Sequence, residues 1–134
     1  MAFIHLSIFT PYGNYLVEEV DYLEVRNSNS VLGILPNHTP LISTVNLGMV
    51  KIKSKGKTRK YATTGGIINI KKGSEVVLML NTIERSDEID IERARKALER
   101  GEHRIKTNDG DMARAQAAIE RATNRLKIAE GIEE

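Results

Sequence analysis

Apolar and polar residues alternate in short runs over residues 1–85, and glycine, asparagine and proline separate the runs. In the clearest run, Val50 and Ile52 alternate with lysines, so that one face of a strand is apolar. Runs and turn signals that recur about every 8–12 residues are typical of an antiparallel sandwich or barrel. Because no long helical segment links the runs, a parallel sheet is not expected. We therefore predict an N-terminal antiparallel β-sandwich over residues 1–85.

The pattern changes near Ser86 to the period of a helix. Apolar residues then follow steps of three and four in two segments: Ile91, Ala94, Leu98, Gly101 and Ile105, then Met112, Ala115, Ile119, Ala122, Leu126 and Ala129. The polar residues 107–110 separate the segments, which predicts an antiparallel two-helix hairpin over residues 86–134 and an α+β fold. Ser86 or Asp87 is expected to cap the first helix, and Asp111 the second. The small residues of both seams allow close approach but bury little area, so the hairpin should be marginal alone.

Composition narrows the class of function. Hydrophobic residues make up 40% of the chain and tryptophan is absent, so the core is expected to be aliphatic. The absence of cysteine excludes disulfides and thiolate metal sites. A net charge of +2 is too small to indicate a nucleic-acid partner. No apolar run approaches the roughly 20 residues that span a bilayer, so we expect any membrane association to occur through a protein partner.

Several residues suggest sites that their surroundings do not favour. Residues 56–58, Gly-Lys-Thr, resemble the end of a phosphate-binding loop, but the following residues are strand-like, which predicts a hairpin turn. His5, His38 and His103 lie in unrelated segments without a pattern of carboxylates, so no metal site is expected. No nucleophile is paired with an orienting base, so no catalytic residue is expected.

Residues 32–41 form an apolar stretch, Leu-Gly-Ile-Leu-Pro-Asn-His-Thr-Pro-Leu. Two prolines and a glycine restrict such a loop to few shapes. A rigid apolar loop on a small domain either covers the core or serves as a docking surface. The residues alone leave both interpretations open.

Arginines recur at helical spacing in the second part of the chain. Arg93 and Arg100 are seven residues apart on the first helix, and Arg121 and Arg125 are four apart on the second. If the hairpin closes, these side chains would converge and would favour a polyanion or carboxylates. The alternative is a set of exposed arginines that pair with glutamates.

These segments carry a resemblance to a known family. The whole chain resembles the epsilon subunit of bacterial F-type ATP synthase. The similar motifs are residues 8–13, residues 32–41, Gly65-Gly66, Glu84-Arg85, Ile89-Asp90 with Arg93-Ala94, and Arg121-Ala122 with residues 124–126. Ser30-Val31 stands where the family usually has Gly-Glu, which leaves the detail of the rotor contact at Val31 open.

The resemblance implies a place and a role. The sandwich would dock on the gamma subunit and the c-ring of the central stalk, which couples proton translocation to ATP synthesis. The mobile hairpin would extend toward the alpha and beta catalytic subunits and inhibit ATP hydrolysis. It implies a non-catalytic subunit that requires no cofactor, with ATP as a regulatory ligand. The chain would be a monomer when isolated and a peripheral protein on the cytoplasmic face of the bacterial cell membrane.

The resemblance also implies particular residues. Four of them would surround the adenine: Glu84, Ile89, Asp90 and Ala94. Four arginines would lie near the phosphates of ATP: Arg93, Arg100, Arg121 and Arg125. The expected docking residues are Val31, Ile34, Leu35, Pro36, His38, Pro40 and Leu41. A free-standing ATP-sensing module of the same fold would share the arginines but would not need the rigid apolar loop.

Overall fold

The computed structural model describes residues 2–28, 30–108 and 110–131. Ten strands precede two helices, and the chain divides after Glu84 into two compact units. The strands are β1 Ile4–Thr10, β2 Gly13–Val20, β3 Tyr22–Asn27, β4 Ser30–Ile34, β5 Leu41–Val45, β6 Gly48–Ser54, β7 Lys57–Thr63, β8 Gly66–Lys71, β9 Glu75–Leu80 and β10 Ile83–Arg85. The helices are α1 Ile91–Thr107 and α2 Met112–Ala129, and a short 3₁₀ turn, Ser86–Glu88, precedes them.

The strands form two five-stranded sheets, in the orders β2-β1-β9-β8-β5 and β10-β7-β6-β3-β4. This architecture confirms the predicted β-sandwich followed by a helical hairpin. One pair departs from the antiparallel expectation, because β1 and β9 are parallel and place Ile8 beside Leu78. The argument against parallel strands assumed a helical crossover. In this fold seven intervening strands make the connection, so no crossover helix is needed.

The core of the first unit is almost wholly aliphatic, as the composition predicted. Alternate residues of β1, Ile4, Leu6 and Ile8, are fully buried and contact buried residues of both sheets. The aromatic member of this cluster is Tyr61, which is 1% exposed. Burying apolar side chains from two facing sheets is the principal stabilising term for such a sandwich.

The turn between β6 and β7 is the hairpin turn that the residues around Gly56 predicted. Lys55 and Gly56 are its two central residues, with φ of 53° and 74°. Positive φ at both positions belongs to the type I′ turn, whose twist matches the twist of the paired strands. The Gly-Lys-Thr sequence therefore begins a strand and not a phosphate-binding helix.

The apolar stretch of residues 32–41 is only partly a loop, which corrects the sequence-based interpretation. Its beginning completes β4, which pairs with β3, and Leu41 begins β5, which pairs with β8. Residues 35–40 alone lie between strands, and they carry the chain from an edge of one sheet to an edge of the other. The two prolines lie in this crossing, where no ladder hydrogen bond is lost.

The sandwich supplies its own core, so we predict that residues 1–85 fold without the hairpin. Every residue of the main hydrophobic cluster lies before Glu84. The fragment should show a cooperative thermal transition and dispersed amide signals, measured by circular dichroism and NMR. A fragment that melts without cooperativity would show instead that the helices are required for the core.

Candidate functional site

Both helices begin at an aspartate that caps the helix. Asp90 Oδ1 accepts a hydrogen bond from the backbone N–H of Arg93 at 3.0 Å. Asp111 Oδ1 accepts from the N–H groups of Ala113 and Arg114 at 3.0 and 3.2 Å, which confirms the predicted cap of the second helix. Such caps satisfy donors that the helix leaves unpaired.

The predicted cap of the first helix was wrong by three or four residues. Ser86 and Asp87 belong to the 3₁₀ turn, which ends before the extended residues Ile89 and Asp90. The carboxylate of Asp87 pairs with Arg85 at 2.7 Å instead. The sequence offered several acids in a row, and only the backbone conformation selects the capping one.

The two helices pack through small residues. A Cβ atom added at Gly101 would lie 2.7 Å from Ile119 Cγ1 and 3.3 Å from the backbone oxygen of Ala115. Gly101 therefore lets the backbones approach closely. The small residues buried in this seam are Ala94, Gly101, Ala115 and Ala122. The larger members of the predicted seam at its ends, Ile91 and Ile105, are more than one third exposed, at 36% and 38%.

An arginine directly precedes each of the four buried small residues. These arginines are Arg93, Arg100, Arg114 and Arg121. One residue is a turn of about 100° around a helix. Because the helices are antiparallel, the position before a seam residue turns toward the same side of the hairpin on both helices. The four arginines therefore share one face, and Arg125, three residues after Ala122, lies on that side as well.

The contact between Gly101 and Ile119 also sets the register of the two helices. With Gly101 level with Ile119, Arg100 lies within about 2 Å of the level of Arg121 along the helix axis. By the same register, Arg93 lies within about 3 Å of the level of Arg125 on the returning helix. The structure thus arranges the four predicted arginines as two pairs on one face. We call this the arginine face, and it also contains Arg114.

The arginine face differs from the opposite side of the hairpin in its ion pairs. Arg95, one residue after Ala94, lies 3.3 Å from Glu92 and 3.8 Å from Glu130. Within residues 2–28, 30–108 and 110–131, no ion pair is found for the exposed side chains of Arg93, Arg100 and Arg121. Arg125 is half-buried and interacts with other residues of the chain. Pairing with glutamate, the alternative interpretation, applies to Arg95 but not to these three.

The remaining residues of the predicted nucleotide site are divided between the two units. Ile89 and Ala94 are buried, and Asp90 is exposed at the start of α1 beside Arg93. Glu84 is half-buried in β10, at the end of the sandwich unit. The assignment of ATP contacts to these residues stays a prediction.

Sequence reasoning missed Arg114. Its signal was available, because the dipeptide Arg-Ala at 114–115 repeats those at 93–94 and 121–122. The motifs that resemble the family include the other two dipeptides but not this one.

The predicted docking residues do not form one surface. Leu35 and Val31 are well exposed, at 61% and 52%, whereas Ile34 is fully buried in the core. The docking role expected for Ile34 is therefore corrected, because β4 turns this side chain inward. Val31 pairs with Arg26 and lies three residues along β4 from Ile34, away from the residues of the crossing. Leu41, at the start of β5, is 39% exposed.

The crossing of residues 35–40 is held by a polar clamp. The N–H of Asn37 donates to Ser74 Oγ at 2.7 Å, and the Ser74 hydroxyl donates to Asn37 Oδ1 at 3.2 Å. Both residues have positive φ, 65° and 63°, and Ser74 is buried. His38 Nδ1 lies 2.7 Å from the carbonyl oxygen of Thr39. Pro36 is half-buried and Pro40 exposed, so hydrogen bonds and prolines together fix the shape of this segment.

A second apolar feature lies on the outer face of the first sheet. Phe9, Met79 and Ile67 are neighbours across β1, β9 and β8, and they are 39%, 48% and 43% exposed. Adjacent exposed apolar side chains of this kind mark protein contact surfaces more often than single ones do. The sequence signal was the uninterrupted apolar run of residues 76–80, which leaves no polar side for solvent.

Comparison with known families follows the division of the chain. The model for the ATP synthase delta/epsilon chain β-sandwich domain matches residues 3–86. The model for the long α-helix domain of the same proteins matches residues 87–130. The chain belongs to the ATP synthase delta/epsilon chain family. The resemblance to the epsilon subunit of bacterial F-type ATP synthase is therefore confirmed.

Relatives and solved structures agree with this family. The ATP synthase epsilon chain of Carboxydothermus hydrogenoformans is 42% identical over 102 residues, covering 76% of this chain and 75% of the relative. That of Desulfitobacterium hafniense is 37% identical over 105 residues, covering 78% and 79%.

Two solved structures show the same fold. A chain of the Euglena gracilis mitochondrial ATP synthase has a TM-score of 0.72 at 24% identity, covering 97% of this chain and 79% of that one. A chain of the Tetrahymena thermophila central stalk and c-ring structure has a TM-score of 0.61 at 14% identity, covering 97% and 96%.

Among the described residues, no cluster of three or more His, Cys, Asp or Glu side chains is placed to hold a metal ion. None of the helices in that part of the chain is long and apolar enough to cross a membrane.

Proposed function

We propose that the chain is a rotor subunit of the central stalk of ATP synthase, in which the sandwich docks and the hairpin regulates. The observation that carries this proposal is the ordered match of both parts of the chain to the two domains of one family. The sandwich binds the gamma subunit and the c-ring, and the hairpin reaches the alpha and beta subunits. The chain couples proton translocation to ATP synthesis, contributes no active site and needs no cofactor.

The proposed location follows from the same assignment. The chain is a peripheral protein on the cytoplasmic face of the bacterial cell membrane and is held there by the complex. The exposed row of Phe9, Met79 and Ile67 favours this role over a free-standing ATP sensor of the same fold, because a sensor has no need of an apolar contact surface.

The crossing segment supports docking through its rigidity. Its polar clamp between Asn37 and Ser74 keeps Leu35 exposed in one arrangement before any partner arrives. A preformed surface loses less conformational entropy on association, so more of the contact energy contributes to binding. An exposed leucine on such a segment fits an apolar pocket of a partner.

Leu35 and its neighbour Ile34, the last residue of β4, provide a matched pair of variants. Leu35→Ser should leave the thermal transition unchanged and weaken binding to an ATP synthase from which this chain has been removed. The loss of about 1.5–3 kcal/mol corresponds to a roughly tenfold to hundredfold weaker complex. Ile34→Ser should instead destabilise the isolated chain by about 3 kcal/mol or more, because it places a hydroxyl in the core.

Calorimetry of each isolated variant measures the change in stability. Rebinding of each variant to the ATP synthase that lacks this chain measures the change in affinity. A Leu35→Ser chain that rebinds as tightly as the unchanged chain would rule out the crossing segment as a docking surface.

The arginine face supports ATP as a regulatory ligand. Closure of the hairpin holds the pairs Arg93 with Arg125 and Arg100 with Arg121 on one side, where like charges repel. A triphosphate between them turns this repulsion into charge-assisted hydrogen bonds. ATP then binds the closed hairpin better than an open one, and this difference in affinity shifts the population toward the closed form. Opening at low ATP places the hairpin where it inhibits hydrolysis.

We predict that Arg93→Ala and Arg125→Ala each weaken ATP binding about tenfold, equivalent to about 1.4 kcal/mol. Arg95→Ala is the matched control, because Arg95 directly follows the seam residue Ala94 and lies on the side of the hairpin opposite the arginine face. It removes the same charge and should leave ATP affinity unchanged. AMP should bind more weakly than ATP, since it lacks the phosphates that the arginines contact.

Asp90 requires a separate variant because it caps α1. Asp90→Asn keeps a capping side chain and removes the charge, whereas Asp90→Ala also costs about 1 kcal/mol of helix stability. Amide chemical shifts of the full chain during an ATP titration give the affinities. An absence of shifts at millimolar ATP would show that the arginine face does not bind the nucleotide.

A further inference from the structure

An aromatic side chain lies across the outer face of the second sheet. The ring of Tyr22, on β3, occupies the space above Gly33 on the neighbouring β4, and a Cβ atom at Gly33 would lie 2.7 Å from the Tyr22 hydroxyl oxygen. That hydroxyl donates to Glu24 Oε1 at 2.9 Å. Burial, with a smaller contribution from Glu24, raises the pKa of the Tyr22 phenol, so it remains a donor. Gly33 is needed here for space, and not for an unusual backbone conformation.

The Tyr22 ring in turn positions a lysine. Lys53 Nζ lies 5.3 Å from the centre of the ring, the geometry of a cation–π contact. Glu24 Oε2 lies 3.9 Å from Lys51 Nζ, so the charge of Glu24 is balanced by Lys51 and not by Lys53. The ring therefore holds Lys53 without neutralising it.

A cavity of about 540 Å³ opens beside this ring. Its walls include the ring of Tyr22 and the exposed side chain of Leu35, and its rim includes the turn between β6 and β7. The side chains that bear on its chemistry are Asp21, Tyr22, Glu24, Leu35, Lys53 and Lys57. We call it the Tyr22 cavity.

The charge around the Tyr22 cavity is positive. Lys53, Lys55 and Lys57 project from one hairpin, and among the described residues no carboxylate pairs with any of them. Asp21 is the one carboxylate of the lining that Lys51 does not balance. The three lysines and the single carboxylate of Asp21 together leave an excess of two positive charges around the cavity. These charges lie beside the apolar wall that Tyr22 and Leu35 form.

We propose that the Tyr22 cavity is a docking site for an acidic segment of a partner protein. An apolar side chain of that segment packs against Tyr22 and Leu35, and its carboxylates meet Lys53 and Lys57. The proposal rests on the proposed docking role of the crossing segment, because Leu35 belongs to both surfaces. It adds the chemistry of the partner, which is acidic and apolar in the same short stretch.

The shape and lining of the cavity favour a peptide over other anions. A free phosphate gains nothing from the apolar wall that Leu35 and Tyr22 form. An anionic lipid surface is flat and would contact the protruding lysines without filling a concave site. A short segment with one apolar and two acidic side chains uses both the wall and the rim.

Charge reversal at the rim tests the proposal. The probe is ATP synthase from which this chain has been removed, to which the full chain rebinds. Lys53→Glu and Lys57→Glu should each weaken rebinding about tenfold at low salt, and the loss should shrink as salt rises. Lys72→Glu makes the same change of charge in the turn between β8 and β9, outside the cavity lining, and should rebind within about twofold of the unchanged chain.

The outcomes separate this inference from the proposed function. If the unchanged chain does not rebind, both fail. If it rebinds and the two rim variants rebind equally well, the proposed function stands and the acidic partner segment is excluded. Thermal transitions of all three variants show that they are folded. Gly33→Ala, which displaces the Tyr22 ring, should reproduce the loss of affinity with every charge retained.

Binding of the chain to vesicles that contain an anionic phospholipid tests whether the lysines meet a membrane instead of a protein. The inference expects the unchanged chain and the rim variants to bind them equally weakly. Strong binding of vesicles that is lost in Lys53→Glu and Lys57→Glu, with unchanged rebinding to the enzyme, would show that the lysines meet a membrane and would overturn the proposal.

Discussion

The close approach of the two helices is the constraint on which the arrangement of the helical hairpin depends. Small residues let the backbones meet at Gly101, where a side chain would collide with Ile119. That contact sets the register and so decides which arginines lie level with one another. The same small seam buries little apolar area, so the open and closed forms that we propose would be close in free energy. The small residues of the seam thus account both for the positions of the arginines and for the ease with which the hairpin would open.

In the sandwich, by contrast, the surface features lie on a rigid hydrophobic core whose strands are paired in two sheets. Neighbouring residues have different roles, because the pleat directs Ile34 inward while Leu35 stands in solvent. The clamp between Asn37 and Ser74 fixes the crossing segment, and the ring of Tyr22 arranges the surface beside it. Surfaces that are fixed before association suit the docking role that we propose for the sandwich.

Much of the fold could be predicted from the period of the hydrophobic pattern, and the misses have physical reasons. The strand ending near Ile34 was hidden because proline and glycine dominate the stretch of residues 32–41 and signal a loop. The parallel pairing of β1 with β9 depends on contacts between distant segments, which no local pattern encodes. The capping role of Asp90 could not be separated from those of neighbouring acids without the backbone conformation. The spacing of the arginines could be read from the sequence. That they share one face could be established only from the antiparallel register of the two helices.

The central claim is that the small seam places the arginines for a polyanion, and a variant that leaves every arginine in place tests it most directly. Gly101→Leu inserts a side chain where Ile119 already lies and should force the helices apart. Glu102→Leu, at the exposed neighbouring position, is the control. The measurement is the ATP affinity of the full chain by calorimetry. The account predicts at least about a tenfold loss for Gly101→Leu and none for Glu102→Leu, about 1.4 kcal/mol of difference. Equal affinities for both variants would contradict it.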